Sequence, residues 1–280
     1  MTTPPSFDDL TPIYDALIDW PKRLSHETPF YQRWFAAAQV KRLLDAACGT
    51  GRHAGLFHSW GLEVQGSDLS PRMIAAATAA LGTPPGLSWA VRGFDQPIPL
   101  PSGPFDAIVC VGNSLALAPD LATVEQAIRQ MLAAAKPNGG LLILHVLNLW
   151  ALPDGPCIWQ KSRRTSLPSA PGSGADALVG SSVWPAGQNA DEGVGTTSEV
   201  LIIKGVHRSG SHGYVELLIA PLDGPPDLRH ETVRFLGLEA PDLERCARSA
   251  GAQDVQFFGG YQDQPYQRDK SSDMIAVIRK

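Results

Sequence analysis

Cysteine is scarce, with four residues in 280: Cys48, Cys110, Cys157 and Cys246. Their spacing is wide and irregular. No Cys-x-x-Cys pair is present, which removes the usual zinc and dithiol redox patterns, and no metal is expected. A chain of this size buries about three quarters of its surface on folding and does not need disulfide staples. A reducing, cytoplasmic setting follows as the expectation. Long apolar runs are also missing. The longest, residues 141–152, is interrupted by His145 and Asn148 and falls short of the ~18 residues that a membrane span needs. The opening MTTPPSFDDL has neither the basic start nor the apolar centre of a signal peptide. Positive charge is in deficit, 23 Lys and Arg against 28 Asp and Glu, for a net −5. That balance disfavours nucleic acid or an anionic membrane as partner, and no stripe of interleaved aromatic and basic residues argues otherwise. With 44% hydrophobic and 18% charged residues, the composition is globular. The length allows one elaborated domain or two small ones. No internal repeat is visible.

What is present is an α/β rhythm. Residues 1–40 read as a helical preamble rich in aromatics, among them Tyr14, Trp20 and Tyr31. Short apolar runs then alternate with helical patterns, giving strands at 42–47, 62–67, 87–92, 105–111 and 141–146. Ser70-Pro71 opens one of the helices, with Ser as N-cap and Pro at the first helical position. Such alternation predicts a parallel sheet with helices on both faces. The rhythm breaks over 151–237, which reads as an antiparallel insert. Within it, 165–198 is rich in Gly, Ser, Pro and Ala and reads as a loop. HRSGSHG, residues 207–213, separates two strands of a plausible hairpin. From residue 238 the pattern resumes, with a helix at 241–249 and strands at 254–258 and 274–279. The last two strands lack room for a crossover helix, so they must be antiparallel. The predicted fold is a Rossmann-like, seven-stranded, mostly parallel sheet with a reversed last strand. Its core is expected over 41–150 and 238–280.

The chemistry concentrates at LLDAACGTGRHA, residues 43–54. Gly49 and Gly51 let the backbone turn sharply and admit a ligand closely, and the helix that follows points unpaired N–H groups at it. This fragment also fits a dinucleotide fold. Three carboxylates separate the two readings. Asp45, at the end of the first strand, is a poor neighbour for a pyrophosphate and suits an ammonium group. Asp68, at the end of the second, can accept from two ribose hydroxyls. Asp95, after the third, can accept from an adenine amino group. Acids at three successive strand ends describe a pocket for adenosine carrying a zwitterionic tail.

The motifs D-x-x-C-G-T-G (45–51), G-x-D-x-S-x-x-M (66–73), F-D-A-I-V-C-x-G-N-S (105–114) and KPNGG (136–140) resemble the class I S-adenosylmethionine-dependent methyltransferases. ACGTG, CVGNSLALAPD and an Asn soon after the fifth strand look like the glycine/sarcosine N-methyltransferase branch. The resemblance implies S-adenosyl-L-methionine as cofactor and a small-molecule acceptor. It implies that Gly49 and Gly51, with the backbone of Ala47 and Thr50, line the methionine moiety, and that Asp68 binds the ribose, with Leu69 and Met73 packed near. It further implies that Phe94 and Asp95 border the adenine, and that Val111, Asn113 and Ser114 lie beneath the sulfonium. Tyr14, Trp20, Tyr31 and Asn148 are the residues assigned to the acceptor. The family's carboxylate-gripping Arg before that Asn is Leu147 here, which disfavours glycine as substrate. The reaction implied is in-line methyl transfer, with an amine as the leading acceptor and a hydroxyl as the alternative. His145 is the candidate base and Asn113 a candidate catalytic partner, although proximity alone can carry much of such a transfer. An NAD(P)-dependent oxidoreductase is the competing class, and it lacks a recognisable catalytic set. The sequence is compatible with a homo-oligomer without specifying one.

Overall fold

In the computed structural model, residue 13 and residues 15–168, 197–223 and 228–280 are described. Tyr14 and residues 169–196, the bulk of the segment read as a loop, lie outside the described residues. The chain divides into two compact units. The larger holds residues 19–156, 207–213 and 234–280, and the smaller takes the described parts of 1–18, 157–206 and 214–233.

The larger unit is built on a seven-stranded sheet: β1 (Arg42–Ala46), β2 (Glu63–Asp68), β3 (Leu87–Val91), β4 (Ala107–Cys110), β5 (Leu141–Leu147), β10 (Asp254–Phe258) and β11 (Asp273–Arg279). Its order is β10-β11-β5-β4-β1-β2-β3. The β1–β2, β1–β4, β2–β3 and β4–β5 pairs are parallel, whereas β11 runs antiparallel to both β5 and β10. This is the Rossmann-like sheet with a reversed last strand that the alternation predicted. All four residues of β4 are buried, as are the first six of β5, the mark of strands covered on both faces.

Helices α1 (Trp20–Ala37), α2 (Arg52–Ser59), α3 (Pro71–Leu81), α4 (Leu121–Ala134) and α5 (Ala240–Ser249) belong to this unit. The Ser70 side chain caps α3 by accepting from Met73 N at 3.0 Å, and Asp120 caps α4 by accepting from Thr123 N at 2.8 Å. Helix α1 buries Trp20, Glu27, Phe30, Tyr31 and Phe35, which recur on one face. Phe30, Tyr31 and Phe35 join the core with Phe57 of α2 and Tyr261. The aromatic preamble is therefore core packing from residue 20 onward.

In the smaller unit the strands are β6 (Ile158–Pro168), β7 (Thr197–Ser209), β8 (His212–Pro221) and β9 (Arg229–Leu236), in that sheet order. Some of their ends extend into residues grouped with the larger unit. β7 and β8 form the expected hairpin, joined by Gly210-Ser211 with Gly210 left-handed at φ 59°. Strand β6 was not legible, and the loop reading of 165–198 is corrected at both ends. Residues 165–168 pair antiparallel with 197–200. The backbone partner supplies the order there, since the composition of β6 carries no alternating apolar signal. Ile13, Val200, Ile202, Leu217 and Ile219 form this unit's core. No helix among the described residues is long and apolar enough to cross a membrane.

Candidate functional site at the strand ends

The turn after β1 is strongly bent. Ala47, Gly49 and Gly51 all take positive φ, at 58°, 55° and 78°. Asp68, at the end of β2, holds this turn: its Oδ2 accepts from Gly49 N at 2.8 Å and its Oδ1 from Ser70 N at 2.9 Å. A carboxylate expected to meet a ligand thus also orders the backbone that cradles it. Beneath the turn lies Trp89 of β3, which the sequence reading missed. A Cβ on Gly51 would sit 2.6 Å from Trp89 Cη2, and one on Gly66 would sit 2.4 Å from Cζ3. Trp89 Nε1 donates to Gly82 O at 2.8 Å. Two glycines facing a large aromatic from neighbouring strands and turns were the available signal.

Asp45 is 1% exposed. The backbone N–H of Ala54, in α2, bonds to its carboxylate, while its Oδ2 has no hydrogen-bond partner. Burial, reinforced by the nearby Asp68 carboxylate, pushes its pKa from 3.8 up to about 8. A buried, unsatisfied acceptor beside a second carboxylate is a site that favours positive charge. Further along the strand ends, Leu69 is 69% exposed although apolar, whereas Met73 is buried. A Cβ on Gly93 would lie 2.8 Å from Asp95 Oδ1 and 3.6 Å from Leu69 Cδ1, so the ends of β2 and β3 converge there. Phe94 and Asp95 are half-buried and Thr50 is buried.

After β4 the chain passes through buried Val111 into two successive left-handed residues, Gly112 (φ 78°) and Asn113 (φ 73°). Three bonds fasten this loop to β5. Gly112 N donates to His145 Nδ1 at 3.1 Å, Asn113 N donates to His145 O at 3.1 Å, and Leu147 N donates to Asn113 Oδ1 at 2.9 Å. Ser114 Oγ donates to Val111 O at 2.9 Å.

Comparison with known proteins decides what this arrangement is. Residues 43–139 match the family described as a methyltransferase domain. A glycine/sarcosine N-methyltransferase from Parasynechococcus marenigrum (strain WH8102) is 31% identical over 144 residues, 49% of each chain. Residues 43–139 thus match a methyltransferase domain. The chain spans about half the length of the curated relatives it matches. The domain's fold recurs in CalS10, an amino pentose methyltransferase from Micromonospora echinaspora (TM-score 0.65, 19% identity, 100% of both chains). It recurs also in the sugar N-methyltransferase KedS8 from Streptoalloteichus sp. ATCC 53650 (TM-score 0.64, 21% identity, 100% of this chain and 95% of that one).

Around the methyltransferase domain, several expected roles change. His145 has both ring nitrogens engaged, Nδ1 by Gly112 N and Nε2 by Asp273 Oδ1 at 3.0 Å. It has no free position from which to take a substrate proton, and the base assignment is corrected. Asn148 donates to Arg268 O and Ser271 O, both at 2.7 Å, and accepts from Trp150 N at 3.2 Å and Tyr266 OH at 3.1 Å. Two donors and two lone pairs exhaust an amide, so Asn148 anchors the β10–β11 connection and does not meet an acceptor molecule. Tyr31 is fully buried, its hydroxyl near Tyr261 OH at 3.2 Å and Glu27 Oε2 at 3.4 Å; it too is a core residue. Trp20 is buried edge-on to His53, centroid to centroid 5.9 Å.

A buried polar network on α1 was also missed. Glu27 accepts from Arg23 Nε at 2.7 Å and bonds His53 Nε2 at 2.7 Å. Burial alone would raise its pKa, but the bonds and charges of His53 and Arg23 outweigh it and hold the carboxyl at about 2. Burial keeps His53 below its ordinary value despite Glu27.

Proposed function

We propose that the protein transfers a methyl group from S-adenosylmethionine to an amine on a small molecule. The observation that carries this reading is the pair of carboxylates, Asp45 and Asp68, at the ends of adjacent strands beside the Gly49–Gly51 turn. The unsatisfied Asp45 Oδ2 fits a positively charged ligand and opposes a pyrophosphate. We assign the turn residues Ala47, Gly49, Thr50 and Gly51 to the methionine part. Asp68 is assigned to the ribose, since a carboxylate offers about four acceptor positions in all. Leu69, an exposed apolar side chain beside Asp95, is assigned to the adenine with Met73 and Phe94. Val111, Asn113 and Ser114 are assigned to the region of the reacting methyl.

When bound, S-adenosylmethionine would supply an electrophilic methyl on a sulfonium: an amine lone pair would form the new C–N bond as the C–S bond breaks, the thioether leaving and the nitrogen losing a proton. The chain's contribution is alignment and exclusion of water, worth roughly 7–11 kcal/mol of barrier when geometry is well held. No base is assigned, since His145 is committed on both nitrogens; the proton leaves to solvent. Leu147, in place of a carboxylate-gripping cation, supports an acceptor without a carboxylate. The amino-sugar methyltransferases of like fold support an amine on a larger, neutral scaffold over glycine, with a hydroxyl of such a scaffold as the alternative. The setting is proposed to be cytoplasmic.

Calorimetric titration tests the reading. S-adenosylmethionine or its demethylated product should bind and NAD should not, and Asp68→Ala should weaken binding at least about tenfold, because hydrogen bonds to a charged acceptor are worth roughly 1.5–3 kcal/mol each. Binding of NAD alone would refute it. Mass spectrometry of amino-sugar and glycine incubations then reads the acceptor, with methylated amino sugar expected.

A further inference from the structure

We propose that Asp273 and His145 form a positioning pair: Asp273 keeps the imidazole proton on Nε2, and the Nδ1 lone pair holds Gly112 and with it the loop that ends β4. The pair rests on its own geometry, and only the loop's part in methyl transfer rests on the reading above.

The bonds fix a single protonation state. Gly112 N–H can only donate, and it points at His145 Nδ1 from 3.1 Å. Nδ1 therefore carries a lone pair, and the one proton of a neutral ring is on Nε2, facing Asp273 Oδ1 at 3.0 Å. Asp273 accepts there as a carboxylate. Burial pushes its pKa up, but the hydrogen bonds from His145 and from the Ser272 hydroxyl at 2.6 Å bring it below the ordinary value. The partner of one nitrogen thus agrees with the partner of the other.

The held loop needs holding. Gly112 and Asn113 are consecutive left-handed residues, and a left-handed non-glycine costs energy that neighbouring contacts must offset. Two of the three bonds tying the loop to β5 come from His145, one from its ring and one from its carbonyl. Charged and titratable groups surround the ring on every side. Asp273 on β11 favours the cation, and the Tyr261 ring, in the connection after β10, lies 5.5 Å away. His53 at the start of α2 is within electrostatic range of the ring, and Glu27 on α1 bonds both His53 and Arg23.

The test uses the full chain and two substitutions. Asn at position 145 keeps an acceptor near Nδ1, and Phe fills the space without one. Long-range proton–nitrogen spectra of histidine-labelled wild type should show His145 neutral with its proton on Nε2 at pH 7; a proton on Nδ1 overturns the proposal. Amide exchange at Gly112 and Asn113 should rise in His145→Phe and stay near wild type in His145→Asn. Affinity for S-adenosylhomocysteine should fall at least about tenfold in the Phe variant, the factor that ~1.4 kcal/mol for one hydrogen bond represents, and stay within about threefold in the Asn variant. Unchanged exchange and affinity in the Phe variant overturn the proposal. If that variant does not fold, the Asn variant and the wild-type spectra decide. Wild type that shows the Nε2 proton but binds no S-adenosylhomocysteine would sink the methyltransferase reading and leave the positioning pair standing.

Discussion

Asp45 couples the site to pH. Its carboxyl ionises near the ordinary 3.8 when exposed and at about 8 when folded. A raised folded pKa means that the stabilising contribution is full below about 4 and is lost as pH rises through about 8. Asp45→Asn removes that titration. In urea titrations of the ligand-free protein, the variant should gain on wild type by roughly 4 kcal/mol between pH 5 and pH 8, while binding S-adenosylmethionine more weakly. Parallel pH dependences for the two proteins would show that Asp45 is not the titrating group. Gly51 is constrained twice, by its left-handed φ and by Trp89. Gly51→Ala should cost at least about 1–2 kcal/mol from the backbone alone, and a Trp89→Leu background should relieve only the contact part. Equal melting temperatures for Gly51→Ala and wild type would contradict this. At this scale, the glycine turn and the places of Asp45 and Asp68 at the strand ends were legible because they are set by local chain pattern. His145, Asn148 and Tyr31 were misread because what occupies them, Asp273, Arg268, Ser271 and Tyr261, lies more than 100 residues away in the chain.

Among the elements, α1 depends on a buried carboxylate, Glu27, held by hydrogen bonds to Arg23 and His53. Removing a hydrogen-bond partner of a buried charged group costs about 1.5–3 kcal/mol. His53→Ala should therefore destabilise by that order, read by chemical denaturation at pH 7. The Glu27 pKa is depressed to about 2, so its stabilisation is present above about 4.5 and is lost as pH falls toward 2. Glu27→Gln should be less stable than wild type at pH 7 and should lose less stability than wild type between pH 5 and pH 3. Thermal melts with identical acid slopes would rule the pair out. Capping was readable from residue types alone: Ser70-Pro71 opens α3 where expected. Strand β6 was not, because an edge strand with polar side chains is held by its backbone partner β7 and by little that composition reveals.

The whole molecule is two units with separate cores. Ile202 is buried in the cluster with Ile13, Leu217 and Ile219. Truncating it to Ala should cost about 2–5 kcal/mol, and the loss should register as faster amide exchange in β7 and β8 before any change in β4 and β5. Simultaneous change in all four strands would mean that the units unfold as one. Sequence alone determined the order of strands and helices in the larger unit, the reversed last strand and the carboxylates at the strand ends. These follow from periodicity, turn chemistry and connection length, which act over a few residues. Tertiary structure alone decided which polar side chains are left for a ligand. A hydrogen bond satisfied by a distant loop removes a group from catalysis as completely as a substitution would, and such pairing is set by packing across the sheet.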